Sequence, residues 1–150
     1  MRENKKILNA TTTHVANIEF KSQLEARLYK AMLSMGLDVD YEPQRCKIWD
    51  RQGFTVPYFD RVGKVFKRVT SKPIAVHYTP DFIFDYKGTK VFLEAKGFKN
   101  DVAPYKARLF RDWLENYTSE NNVKAVYAVV YSIRDLQQLL KELDNESQTL

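Results

Sequence analysis

The stretch that decides the fold is His77-Tyr78-Thr79-Pro80-Asp81-Phe82, answered further along by Phe92-Leu93-Glu94-Ala95-Lys96. Both pieces lie in runs rich in β-branched and aromatic residues, over 74–86 and 90–95, and Lys87-Gly88 between them is a turn signal. Side chains alternate faces along a strand, so Glu94 and Lys96 share one face, Ala95 takes the other, and Phe92 lies deeper on the Glu94 side. Whether Asp81 meets Glu94 depends on the turn. A two-residue loop at Lys87-Gly88 sets Asp81 directly across from Glu94. A longer loop over 85–89 with a glycine bulge shifts the pairing by one residue and turns Asp81 away, unless a further bulge restores it. Pro80, which has no N–H for a ladder, marks a place for such a bulge. The sequence leaves both registers open.

A carboxylate and an ammonium at i and i+2, beside a second carboxylate on a neighbouring strand, can build a hydrolytic site. Two carboxylates are hard oxygen ligands suited to Mg²⁺ or Mn²⁺. Such a cation activates water and neutralises charge developing at phosphorus. A lysine beside it orients the nucleophile or stabilises the transition state. The competing explanation is a surface hairpin with an ordinary cross-strand Lys–Glu pair. Against that, Pro80-Asp81 opens one apolar run and Glu94-Ala95-Lys96 closes the next, which sets the charges at strand ends beside a core.

Working outward, Ser22 and Glu25 have the form of a capping box, and Leu24, Leu28, Ala31, Met32 and Met35 recur at helical spacing up to Gly36. Residues 37–42 read as a short strand. Residues 1–17 lack periodicity and read as a flexible arm. The segment 43–73 is the least legible, with hairpin arms suggested around Gln52-Gly53 and Val62-Gly63-Lys64. A helix is expected over 104–116, with Pro104 in its first turn. Residues 123–131 are almost wholly apolar, as in a strand buried on both faces. A final amphipathic helix is expected from Ser132 to about residue 144. The expected fold is one α/β domain with a central mixed β-sheet flanked by helices and a basic excursion.

The chain has 150 residues, a hydrophobic share of 44% and a net charge of +5. That is enough for a real core, and no run approaches the apolar length of a membrane helix. The charged beginning of the chain argues against a secretory signal, and one cysteine, Cys46, allows no internal disulfide. A cytoplasmic protein with no membrane role is expected. Between residues 43 and 76 stand eight basic side chains (Arg45, Lys47, Arg51, Arg61, Lys64, Lys67, Arg68, Lys72) against Asp50 and Asp60. Interleaved with Trp49, Phe54, Tyr58, Phe59 and Phe66, this positive stretch suits a polyanion held through its phosphates, although a solvated loop would carry the same lysines.

Taken together, Tyr78-Thr79-Pro80-Asp81-Phe82 and Phe92-Leu93-Glu94-Ala95-Lys96-Gly97-Phe98 resemble the core of the PD-(D/E)xK nuclease superfamily, which has a restriction-endonuclease-like fold. Within it, phage endonuclease I-type Holliday junction resolvases and small phage and transposon nucleases are the nearest in pattern. Phe20-Lys21-Ser22 with Glu25, then Gly36-Leu37 and Tyr41-Glu42, look like the first helix and strand of that family. The resemblance covers roughly 20–42 and 74–131 and leaves 43–73 without a counterpart. It implies Asp81 and Glu94 as metal ligands, joined by the Ala95 carbonyl, with Lys96 as the catalytic lysine. It also implies Glu25 as a further acidic residue aimed at the metal, although the capping box explains Glu25 without catalysis.

Other side chains carry weaker signals. His77 is a candidate phosphate contact, and so are Lys99, Lys106 and Arg108, while Arg111 reads better as solvated surface. Leu109, Trp113 and Leu114 form a core stripe. The expected activity is Mg²⁺- or Mn²⁺-dependent cleavage of DNA, selective for junctions or branches, leaving 5′-phosphate and 3′-hydroxyl ends as the resemblance implies. A homodimer would supply a second site for a second strand. The alternatives are a binding or assembly protein on a nuclease fold, and an RNA-directed nuclease.

Overall fold

The computed structural model describes residues 13–97 and 103–149. Its elements run β1 (Thr13–Val15), β2 (Ile18–Phe20), α1 (Gln23–Ser34), β3 (Val39–Tyr41), β4 (Cys46–Trp49), β5 (Phe59–Val62), β6 (Val65–Arg68), β7 (Val76–Tyr78), β8 (Phe82–Tyr86), β9 (Thr89–Ala95), α2 (Ala103–Asn121), β10 (Lys124–Val130) and α3 (Ile133–Gln148). A mixed four-stranded sheet in the order β10-β9-β8-β3 is the centre of this α/β fold. β10 runs parallel to β9, and the other pairs are antiparallel. No helix among the described residues is long and apolar enough to cross a membrane.

Alternation along the central strands separates two cores. Val91, Leu93, Phe82 and Phe84 point to one face and pack with Leu28 and Met32 of α1 and Leu136 and Leu140 of α3. Ile83 and Phe92 point to the other and meet Phe110 and Leu114 of α2, with Cys46 and Ile48 of β4. Ser22 caps α1 by accepting a 3.2 Å bond from Glu25 N, and Ser132 caps α3 in the same way through Asp135 N.

The β8–β9 turn resolves the register. Phe82 pairs with Leu93 and Tyr86 with Thr89, which leaves Lys87-Gly88 as a two-residue loop with positive φ at both positions. That is the type I′ geometry, whose twist matches the flanking strands. Asp81, one step beyond Phe82, therefore falls opposite Glu94.

The structure differs from the sequence expectations in five places. Residues 13–20 form a small hairpin rather than an arm, turning at Ala16 and Asn17, both at positive φ; residues 1–12 lie outside the described residues. Strands of three residues are too short to display a period. The run 74–86 is two strands, broken at 79–81, and β7 pairs with β4 in a separate two-stranded sheet. Part of the basic excursion thus belongs to the core, since Cys46 and Ile48 of β4 are buried beneath α2. Of the two suggested hairpin arms, only the one around Gly63 forms. β10 is an edge strand, mostly half-buried, rather than one covered on both faces. α2 and α3 also continue past their expected ends, and side chains of the added turns donate to helix carbonyls, Thr118 to Glu115, Asn121 to Tyr117 and Ser147 to Leu143.

Burial pushes the Cys46 thiol up to about 11. Native protein is therefore expected to resist a thiol reagent at pH 8 while denatured protein reacts at once; equal rates would place the thiol at the surface.

Candidate active site at the end of the central sheet

β8 and β9 deliver Asp81 and Glu94 to the same face of the sheet, just beyond the Ile83–Phe92 pair. Both are buried carboxylates, 9% and 8% exposed, which is rare for acids unless they are paired or functional. The Ala95 N–H donates to Asp81 Oδ2 at 2.7 Å, tying the loop before β8 to the end of β9. Lys96 Nζ lies 2.9 Å from Glu94 Oε1, and its backbone N–H donates to the Val130 carbonyl, so β10 holds the lysine in place. Desolvation, followed by the charges of Glu94 and Glu25, pushes the Asp81 carboxyl well above the ordinary range, against the Ala95 hydrogen bond.

Three tyrosines complete the arrangement. Tyr78 donates to Glu94 Oε2 at 2.6 Å, and its ring lies 4.6 Å from that of Phe110. With that proton committed, Tyr127 is the donor in its 3.0 Å contact with Tyr78. Burial and the neighbouring carboxylate push the Tyr78 hydroxyl far above its ordinary value; burial pushes Tyr127 up to about 12. Both remain protonated donors at any physiological pH. Tyr41 donates to Glu25 Oε2 at 2.6 Å and is likewise held protonated, chiefly by burial. Sequence patterns gave neither Tyr78 nor Tyr127 a role at this site. The signal lay in alternation: Tyr78 must face inward if Val76 does, but only the β4–β7 pairing aims β7 at Glu94.

Glu25 is placed differently from the other acids. It stands in the first turn of α1, on the helix that covers the opposite face of the sheet. Oε1 accepts from Ser22 Oγ at 3.0 Å, and Oε2 accepts from Tyr41 and from Lys21 N at 3.2 Å. Its field reaches Asp81, but its oxygens serve the helix start. Glu42, another residue without an assigned role, bonds its N–H to the Asp81 carbonyl at 2.8 Å and its carboxylate to Lys21 Nζ. Partial burial works against the Lys21 charge, yet Glu42, Asp81 and Glu25 outweigh it and hold the ammonium above its ordinary value.

The proposed phosphate contacts fall into separate groups. Arg61, Lys64, Lys67 and Arg68 stand exposed on the β5–β6 hairpin, and Lys72 is exposed in the loop after it. His77 alternates with Val76 and Tyr78, which enter the core, so it faces away from Glu94; its cross-strand neighbour is Lys47. Lys106 lies one turn before Phe110 on α2, on the face that leads toward Tyr78. Lys99 lies outside the described residues.

The fit to a hard cation lies in the donor chemistry. Two buried carboxylates repel each other at Asp81, and the fields of Glu25 and Glu42 add to the excess negative potential. Among the described residues no three His, Cys, Asp or Glu side chains are gathered as a metal-holding group, and Asp81 and Glu94 stand as a pair.

Replacing Tyr78 with phenylalanine leaves the ring packing and removes the donor to Glu94. The expected cost is about 1.5–3 kcal/mol of stability by urea denaturation, because the bond is made to a charged, buried acceptor. An unchanged midpoint would mean that water replaces the hydroxyl.

Compared with protein-family models, the chain matches none, and a comparison with curated proteins finds no match either.

Proposed function

We propose that the chain is a divalent-metal-dependent DNA endonuclease with a restriction-endonuclease-like core of the PD-(D/E)xK type, selective for junction or branched DNA. The observation that carries this reading is the buried Asp81 directly across from Glu94, with Lys96 2.9 Å from the Glu94 carboxylate. Ordinary surface hairpins do not bury two acids beside a half-buried lysine at one strand end.

In this reading Asp81 and Glu94 hold Mg²⁺ or Mn²⁺, with the Ala95 carbonyl beside them. When bound, the cation supplies Lewis acidity to a water and to the phosphate oxygens. Lys96 orients the attacking water and offsets charge on the phosphorane-like transition state. Tyr78 fixes the Glu94 carboxylate by donating to Oε2, and Oε1, which faces Lys96, is the oxygen that would turn to the cation. Glu25 acts through its charge and through the α1 start unless its carboxylate turns from Tyr41 toward Asp81. Lys106 and Lys99 follow the site in sequence and are assigned to phosphates, as are Arg61, Lys64, Lys67, Arg68 and Lys72; His77 faces away and is the weakest of these assignments. A second copy would provide the second strand's active site. The lone buried thiol accords with a reducing, cytoplasmic setting.

The test is cleavage of supercoiled plasmid and of a four-way junction with Mg²⁺ or Mn²⁺. Wild type is expected to cut the junction in preference, and Lys96→Ala to lose about 10²–10³-fold in rate while remaining folded. DNA binding with no cutting of either substrate would replace the nuclease with a binding or assembly protein, and preferential cutting of RNA would replace the substrate.

A further inference from the structure

We infer that the β5–β6 hairpin presents one of its two faces, carrying Phe59, Arg61, Phe66 and Arg68, as a stacking surface for the unpaired bases of a nucleic acid. The inference rests on the reading that the chain acts on nucleic acid, and it specifies which part of a branched substrate the hairpin meets.

The register separates the faces. Phe59 pairs with Arg68 and Arg61 with Phe66, so these four side chains share one face. The other face carries Asp60 opposite Lys67 and Val62 opposite Val65. There the Lys67 charge is balanced by Asp60, which accepts from the Tyr58 hydroxyl and from Arg61 N, each at 2.7 Å, and is held below the ordinary carboxylate range by those bonds. The first face has two guanidinium groups and no acid. Within the two strands the charge is thus uneven: the unbalanced positive groups, Arg61 and Arg68, lie on the face of Phe59 and Phe66.

All eight residues of the two strands are exposed, so no other described element covers either face. Phe59 is 52% exposed and Phe66 69%, and their rings lie 6.2 Å apart at an interplanar angle of 23°. A two-stranded ribbon with no packing partner is marginal in water, and a contact that covers the rings would stabilise it. Lys64 follows Gly63 in a two-residue turn with positive φ at the glycine, and it extends the charge to the tip.

Charge and rings together choose the occupant. Arginine alone would suit any phosphate backbone, and duplex grooves are read mostly by polar side chains. Near-parallel exposed rings between guanidinium groups match unpaired bases, each of which offers a π face to stack on while its phosphate meets an arginine. Such bases occur at flaps, gaps and junction centres and not within a continuous duplex.

The test is fluorescence anisotropy with the full chain in EDTA, using a labelled oligothymidylate and a blunt duplex of equal length. The wild type is expected to bind the oligothymidylate, and Phe59→Ala/Phe66→Ala to weaken that binding by about ten-fold or more while duplex binding changes little. Arg61→Ala/Arg68→Ala is expected to weaken binding to both probes and to lower the salt slope on the single strand by about 1.4. Lys67→Ala, on the balanced face, is expected to do less than either arginine. If the phenylalanine variant binds the oligothymidylate as tightly as wild type, the inference falls and the rings belong to a protein partner. If wild type binds neither probe, the nucleic-acid reading falls with it. Because no cleavage is measured, an inactive metal site alone leaves these outcomes unchanged.

Discussion

Replacing Asp81 with asparagine is expected to abolish cleavage and, at neutral pH and without metal, to raise the melting temperature. Asp81 and Glu94 are buried opposite one another, and Lys96 lies against Glu94. Their repulsion is a cost to the fold, because desolvation and then the Glu94 and Glu25 charges favour the protonated Asp81 carboxyl. Asparagine removes the charge, keeps an oxygen for the Ala95 N–H and offers its amide to Glu94. A gain of about 0.5–2 kcal/mol is typical where function has been bought with stability. For a chain of this size each kcal/mol moves the midpoint by about 2–4 °C.

The pH dependence has a definite sign. In the unfolded chain Asp81 ionises near 3.9, while in the folded chain it holds its proton to higher pH. The stability it contributes is therefore fully present below the ordinary carboxyl range and is lost as pH rises through the raised folded value. The advantage of Asp81→Asn should be full above that value and fade as pH falls toward 3.9. Added Mg²⁺ should raise the wild-type midpoint by mass action and leave the variant unchanged. An asparagine variant that melts earlier than wild type at neutral pH would sink the claim that the two acids oppose each other.

Phe92→Ala is expected to cost about 3–5 kcal/mol, a large part of what holds a domain of this size together. Phe92 is fully buried at the centre of an aromatic wall, with Phe110 at 5.6 Å, Tyr117 at 6.0 Å and Trp113 at 6.5 Å between ring centroids. Since Phe110 also packs on Tyr78, the lost ring should loosen the hydroxyl that orients Glu94. The urea midpoint should fall with an unchanged slope, and the fraction still folded should cleave more slowly than wild type. Phe92→Leu should cost less on both counts. A loss under about 1.5 kcal/mol for the alanine variant would mean that the wall closes over the gap.

Much of the site was legible because it depends on local rules. Alternation put Glu94 and Lys96 on one face, and Lys87-Gly88 is a pair that a tight hairpin accepts. Ser22-Glu25 and Ser132-Asp135 announced their helix starts, since a hydroxyl that accepts from a backbone N–H three residues on needs no distant partner. The two-residue loop, rather than the longer one, was decided by the pairing of β8 with β9 within a sheet whose faces are both buried. There a one-residue slip would drive Phe82, Phe84 and Leu93 out of their core.

What only the tertiary structure decided concerns residues far apart in sequence. The pairing of β4 with β7 brings Tyr78 to Glu94, and the parallel edge strand β10 brings Tyr127 to Tyr78. Neither contact leaves a trace in local periodicity. Glu25 illustrates the limit in the other direction: its position in the first turn was clear from sequence, but its engagement with Tyr41 depends on how α1 crosses β3. The basic segment was visible as composition alone, and the β5–β6 register set Arg61 and Arg68 with Phe59 and Phe66 on one face. Sequence by itself determined strand faces, helix starts and the acid–lysine pattern, because these follow from steps of two to four residues. The burial of the acids, their tyrosine partners and the hairpin's charged face came from packing, which alone sets how far each charge lies from water.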